Sequence, residues 1–179
     1  MTDNELLHQL KDPVRQRNAF RYLVEQYSET LYWRIRHFVI DHDDADDVLQ
    51  NTFIKAWTNL ESFEGKSKLL TWLMRIAINE SLDFLRRQKN VQKVSTDDDT
   101  GIANRLMADN YFDGDETEAM LQEAIAQLPD VQRMVFNLRY FDEMKYQDMA
   151  KLLDRSEGAL KASYHHAVQK ITEYFQRRD

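Results

Sequence analysis

Tyr146-Gln147-Asp148-Met149-Ala150-Lys151-Leu152-Leu153, then Asp154-Arg155-Ser156, then Glu157-Gly158-Ala159-Leu160-Lys161-Ala162-Ser163-Tyr164-His165-His166 is the stretch that decides the fold. In its first part Tyr146, Met149, Ala150 and Leu153 fall at i, i+3, i+4 and i+7, which makes one apolar stripe on a helix. From Glu157 to Phe175 the periodicity restarts: Leu160, Tyr164, Ala167, Val168, Ile171 and Phe175 line one face. Lys161, Ala162, His165, Gln169 and Thr172 lie opposite. Ser156, just before the restart, is of the type that caps a helix N-terminus. The pattern predicts a helix-turn-helix whose second helix offers a polar face to a DNA groove, with a plain helical hairpin as the other reading.

Composition points the same way. The chain has 179 residues, 42% of them hydrophobic, but only 4 glycines and 2 prolines, too few turn signals for an all-β fold. With no cysteine, disulfides, thiolate metal sites and a cysteine nucleophile are excluded. No apolar run approaches the ~20 residues that cross a bilayer, and Met1-Thr2-Asp3-Asn4-Glu5 lacks a basic start, so no membrane insertion and a cytoplasmic location are expected. HExxH, P-loop, nucleophile-elbow and GxGxxG patterns are absent, and the expectation is a protein that is not an enzyme and needs no cofactor or metal. His165 and His166 sit about 100° apart on a helix and do not suit one shared ion.

The net charge of -7 is awkward for a DNA-binding chain, since phosphate neutralisation carries most non-specific affinity. Its distribution resolves the difficulty: residues 94–117 hold seven acids and one base, while the flanks are nearly balanced. That segment contains Asp97-Asp98-Asp99 and Asp113-Gly114-Asp115-Glu116, with little periodicity outside Ile102 to Ala108, and reads as a linker. The expected architecture is all-α: two small helical domains, 1–93 and 118–179, joined by a flexible acidic linker, 94–117, with the helix-turn-helix in the second.

In the first domain, Asp12-Pro13 reads as the start of a long helix, or two abutting ones, through residue 40. The acidic turn Asp41-His42-Asp43-Asp44 then precedes a regular stripe of Ala45, Val48, Leu49, Thr52, Phe53, Ala56, Trp57 and Leu60. Gly65 breaks the segment Ser62 to Lys68. Next a helix from Leu69 to about Arg87 buries Leu70, Leu73, Ile76, Ala77 and Leu82, and ends in basic residues that suit its C-terminal dipole or a phosphate. In the second domain, helices from Glu118 to Leu128 and from Val131 to Phe141 precede the helix-turn-helix.

These segments, in this order, resemble a bacterial RNA polymerase sigma factor of the extracytoplasmic-function (ECF) class. Asp44-Ala45-Asp46-Asp47-Val48-Leu49-Gln50-Asn51-Thr52-Phe53-Ile54-Lys55-Ala56-Trp57 resembles that family's polymerase-docking helix. Thr71-Trp72-Leu73-Met74-Arg75-Ile76-Ala77-Ile78-Asn79, with Asp83, Arg86 and Arg87, resembles its promoter-melting segment. Leu128-Pro129, Arg133 to Tyr140, Tyr146 to Ala150, and Gly158-Ala159-Leu160-Lys161 follow its -35-binding pattern.

The resemblance implies region 2 over 1–93 and region 4 over 118–179, with core RNA polymerase and promoter DNA as partners and an anti-sigma factor as a further candidate. It implies polymerase contacts at Asp46, Asp47, Gln50, Asn51, Phe53 and Lys55. For the -10 element it implies Phe63, Lys66, Ser67, Lys68, Trp72, Arg75, Asn79, Arg86 and Arg87, with core packing the alternative for Phe63 and Trp72. For the -35 element it implies Arg155, Ser156, Gly158, Lys161, Ala162, His165 and His166. Where family members commonly carry Ser-Arg and His-Arg, this chain has Ala162-Ser163 and His165-His166, and so lacks two arginines. The competing reading is a stand-alone helix-turn-helix regulator. Such proteins dimerise on palindromic sites, whereas no heptad or other dimerising signal is present, and the free chain is expected to be a monomer.

Overall fold

The computed structural model describes residues 1–92 and 101–178, and all their regular structure is helical. Residues 94–100 of the acidic segment therefore lie outside the described residues. Two compact units divide the chain: residues 1–39 with 43–85, and residues 40–42 with 86 onward.

The first unit contains α1 (Asp3–Leu10), α2 (Gln16–Val39), α3 (His42–Thr58), a 3-10 turn (Leu60–Ser62) and most of α4 (Leu69–Gln92). The sequence reading has no counterpart to α1, although Thr2-x-x-Glu5 is a capping box: Glu5 N donates to Thr2 Oγ1 and Thr2 N to Glu5 Oε2. Asp12-Pro13 is not a helix start. Asp12 Oδ1 accepts from Val14 N at 2.9 Å, and its carbonyl accepts from Arg15 and Gln16, so the pair makes the turn between α1 and α2.

Leu6 and Leu10 of α1 are buried, as are Leu23, Leu31, Ile35 and Phe38 of α2; each such side chain stabilises the unit by roughly 1.5–3 kcal/mol. Tyr27 OH of α2 donates to Asp3 Oδ1 at 2.8 Å, and burial together with that carboxylate pushes the phenol up to about 12. Phe20 of α2 meets Phe53 and Trp57 of α3 edge-on, with ring centroids 6.4 and 5.0 Å apart. An ion pair joins Lys55 of α3 to Glu80 of α4, whose side chain is only 6% exposed. The carboxylate is thereby compensated where water cannot reach it.

The helix boundaries move for physical reasons. Ile40 takes a left-handed φ of 75° and ends α2, and α3 starts at His42, so Asp43 and Asp44 are first-turn acids that offset the helix dipole. Ile40 holds this unusual conformation while buried against Leu106 and Ala119 of its own unit. The buried face of α4 consists of Leu69, Leu73, Met74, Ala77, Ile78 and Leu85, with Leu70, Ile76 and Leu82 at its margins. Because α4 runs on to Gln92, Arg86 and Arg87 lie inside the helix, and only Lys89 occupies the last turn.

The second unit continues with α5 (Ile102–Ala108), α6 (Glu116–Ala126), α7 (Asp130–Tyr140), α8 (Tyr146–Leu153) and α9 (Glu157–Gln176). The linker stretch beyond residue 100 is thus partly folded: Leu106 of α5 is 2% exposed. Helix α9 packs against α6, α7 and α8. Its buried residues are Leu160, Ala167, Ile171 and Tyr174, the last three gathered with Ala124, Ile125, Leu128 and Phe136. Val168 stays exposed, so the buried stripe is centred one position away from the sequence reading.

His37, in the last turn of α2, would gain from the dipole if charged, but burial and then Arg36 pull its pKa down to about 4 from 6.5. The folded chain keeps this imidazole neutral while the unfolded chain protonates it near pH 6.5, so stability falls as pH drops from 6.5 toward 4. Urea titrations of His37→Gln should lose about 2–3 kcal/mol of that acid sensitivity relative to the parent chain.

Candidate nucleic-acid interface

The turn between α8 and α9 is fixed by three backbone devices. Asp154 ends α8 in the left-handed region, at φ 54° and ψ 50°, and its N–H donates to Ala150 O. Arg155 N donates to the same carbonyl at 3.3 Å. Ser156 caps α9 by accepting from Ala159 N at 3.1 Å. Arg155, Ser156, Gly158, Lys161, Ala162, His165 and His166 are all exposed. Gly158, Lys161, Ala162 and His165 recur at i, i+3, i+4 and i+7, so they form one bare face, with His166 to one side.

Gly158 itself is informative. A Cβ there would meet nothing within 4 Å, and its φ is ordinary, so no contact inside the chain requires glycine. A glycine in a helix costs about 1 kcal/mol relative to alanine, and a bare Cα lets an external backbone approach closely.

Two residues that the sequence reading did not assign complete this face. The Tyr146 ring, at the start of α8, has the Arg139 guanidinium 4.9 Å and the Lys161 ammonium 5.7 Å from its centroid. Arg139 also donates to Met144 O at 3.1 Å. Tyr164 meets Tyr146 edge-on and stacks on Phe136 at 5.7 Å, while Phe136 stacks on Tyr140. Burial raises the Tyr164 pKa. Cations of α7 and α9 thus meet on one aromatic side chain, which offsets part of the missing arginine charge. Sequence spacing alone had no means of bringing Arg139 to Lys161. Among the described residues no three His, Cys, Asp or Glu side chains are grouped to hold a metal.

In the first unit, Phe63 is 5% exposed and stacks on Trp72 with centroids 4.7 Å apart. Its ring is part of the packing beneath the loop, the alternative that the sequence left open for both aromatics. Lys66 and Lys68 are exposed and Ser67 is half-buried; Lys66 pairs with Glu64 at 2.7 Å, both side chains mostly exposed. Gly65 turns the loop with a φ of 76°. Trp72, Arg75, Asn79 and Arg86 recur at helical spacing along α4, with Lys68 just before its first turn and Arg87 beside Arg86; Arg75, Asn79, Arg86 and Arg87 are exposed.

On α3, Asp46, Asp47, Gln50 and Asn51 are exposed, whereas Phe53 is 8% exposed and lies behind that face. The Lys55 ammonium is engaged by Glu80. The same bare face continues into two apolar residues, Ile54 at 62% and Trp57 at 42% exposure. Trp57, which its place in the stripe put in the core, is thus half exposed, and with Ile54 it makes an apolar patch flanked by polar side chains.

Among the described residues all regular structure is helical, and the second unit presents a helix-turn-helix whose second helix keeps one face bare. Residues 23–91 match the family model described as Sigma-70 region 2, and residues 118–171 match that described as Sigma-70, region 4. The chain is 31% identical over 187 residues to the RNA polymerase sigma-H factor of Pseudomonas aeruginosa, covering 98% of this chain and 97% of that protein. It is 28% identical to the ECF RNA polymerase sigma factor SigW of Bacillus subtilis, covering 86% and 87%. It is also 28% identical to the ECF RNA polymerase sigma-E factor of Escherichia coli, covering 96% and 93%.

Two solved structures share the fold. CnrH in complex with the cytosolic domain of CnrY has a TM-score of 0.71 at 24% identity, covering 99% of both chains. The sigma factor RpoE with the anti-sigma factor NepR from Bartonella quintana has a TM-score of 0.65 at 23% identity, covering 88% of this chain and 96% of that one. The chain belongs to the sigma-70 family, in its ECF class: it is an RNA polymerase sigma factor that directs promoter-specific transcription.

Gly158→Ala should raise the thermal midpoint of the free protein, because the helix gains about 0.5–1 kcal/mol. It should at the same time weaken -35-dependent promoter binding by the polymerase complex, measured with duplexes carrying intact and scrambled -35 elements.

Proposed function

We propose that the bare face of α3 docks on core RNA polymerase, that the loop at Gly65 to Lys68 and the exposed edge of α4 engage the -10 element, and that α9 reads the -35 element. On this reading residues 1–93 act as region 2, 94–117 as the linker and 118–179 as region 4. The observation that carries it is the pairing of exposure with order: each surface that the family's work requires is bare, and the surfaces follow one another in the family's sequence.

Physical chemistry assigns the parts. Asp46, Asp47, Gln50 and Asn51 supply polar contacts around Ile54 and Trp57, which bury apolar area against polymerase. Phe53 and Lys55 hold α3 in place from behind. Lys66 and Lys68 meet the phosphates of the opened -10 strand, with Ser67 as a hydrogen-bonding partner, and Arg75, Asn79, Arg86 and Arg87 continue the track along α4. Bases inside a duplex present only groove edges, so reading that strand requires bases taken out of the stack. Phe63 and Trp72 form the floor of the loop. At the -35 element Gly158, Lys161, Ala162 and His165 face the groove, while Arg155, Ser156 and His166 reach the backbone at its edges.

With a net charge of -7, the free protein binds DNA weakly, and polymerase delivers it to promoters in the cytoplasm. The same bare faces are the natural target of an anti-sigma factor, the kind of partner named for RpoE of Bartonella quintana. The work requires no cofactor and no catalysis by this chain.

Purified protein with core polymerase should start transcription from a cognate promoter, and neither should do so alone. Lys66→Ala with Lys68→Ala should slow promoter opening about ten-fold while leaving polymerase affinity within two-fold, because besides the phosphate contacts it removes only the exposed ion pair of Lys66 with Glu64. Tight binding to a palindromic site without polymerase, and no initiation with it, would replace this reading with that of a stand-alone regulator.

A further inference from the structure

Helix α1 lies upstream of the matched region 2 segment, which begins at residue 23, and the proposed contacts give it no task. Yet it is anchored at both ends. Its N-terminus is closed by the Thr2 and Glu5 capping box, Asp3 accepts from Tyr27 OH, and Leu10 O accepts from Gln16 Nε2 at 3.1 Å. Leu6 and Leu10 are 1% and 0% exposed. Both the position of α1 along α2 and its roll are therefore fixed, and they determine where the neighbouring side chain, Leu7, is held.

Leu7 meets the pivot of the reading loop. A Cβ built on Gly65 would lie 2.9 Å from Leu7 Cδ2, the one atom beyond the glycine's chain neighbours that comes within 4 Å of that point. Gly65 is in the left-handed region, where only glycine turns without strain. On one side of it the loop is anchored by Phe63 on Trp72, and on the other by Leu69, which is 1% exposed at the start of α4. Between those anchors, Leu7 is the contact against which Gly65 rests.

We infer that Leu7 is a positioning residue for the -10 loop, and that α1 serves as the buttress setting where Lys66, Ser67 and Lys68 stand for the promoter strand. The inference rests on the reading of that loop given above. A short loop with a glycine pivot has many conformations, of which few present both ammonium groups to the same strand. A side chain packed against the pivot removes the others before DNA arrives, and the gain appears in the opening step. Leu7 touches neither DNA nor polymerase in this scheme.

The test uses the full chain with core polymerase and a promoter carrying a fluorescent base in the -10 segment. Leu7→Ala is expected to slow opening about three- to ten-fold while polymerase affinity stays within two-fold, and Leu7→Met, which refills the contact, should restore the rate. A Leu7→Ala variant that opens promoters at the parental rate would overturn the inference. So would a parallel loss of opening, polymerase affinity and thermal midpoint, which marks a merely structural role. The Lys66→Ala, Lys68→Ala variant separates the two layers. If it opens normally, the loop reading fails and takes the buttress with it; if it is slow while Leu7→Ala is not, only the buttress fails.

Discussion

Each helix in units this small has one apolar stripe to bury, and that requirement dictates where everything else is placed. In the second unit, α9 commits Leu160, Ala167, Ile171 and Tyr174 to the core, which forces Lys161, Ala162 and His165 outward. In the first, the burial of Val48, Phe53 and Ala56 on α3 does the same for Asp47, Gln50, Asn51 and Ile54. The Lys55–Glu80 ion pair then ties α3 to α4. The burial that stabilises each unit therefore also decides which side chains it leaves exposed.

How much of this the sequence carried depends on whether the signal was periodic. The helix-turn-helix was legible because Tyr146, Met149, Ala150 and Leu153, then Leu160, Tyr164 and Ala167, repeat at helical spacing around a capping serine, and both helices start where that pattern starts; within α8 the buried leucine is Leu152, one position from the one the stripe named. Helix α1 was missed because eight residues hold barely two turns of pattern, although its capping box was in plain view. Trp57 was misplaced because an aromatic at the edge of a stripe satisfies the period whether it faces in or out. Arg139 escaped because a cation seven residues before Tyr146 and twenty-two before Lys161 joins them only after three helices have packed.

Electrostatics explains how an acidic chain can manage a polyanion. The acidic excess is gathered between residues 94 and 117, away in sequence from the basic edge of α4 and the bare face of α9. Beside the bare face of α9, Arg139 and Lys161 share the Tyr146 ring, which lets two cations stand close together with part of their repulsion offset by the ring quadrupole. On the proposed reading this makes a modest grip, which suits a factor carried to DNA by a larger machine.

The tryptophans have a consequence of a different kind. Of the three in the chain, Trp57 is half exposed on α3, Trp72 lies half-buried under the Gly65 loop against Phe63, and Trp33 sits at 47% exposure on α2. Indole emission responds to the loss of water and to a neighbouring ring, so the chain carries its own optical reporters at two of the surfaces proposed to work. Replacing Trp33 and either of the others with phenylalanine leaves a single emitter, and association with polymerase and engagement of the promoter strand become two distinguishable colour changes without any attached label.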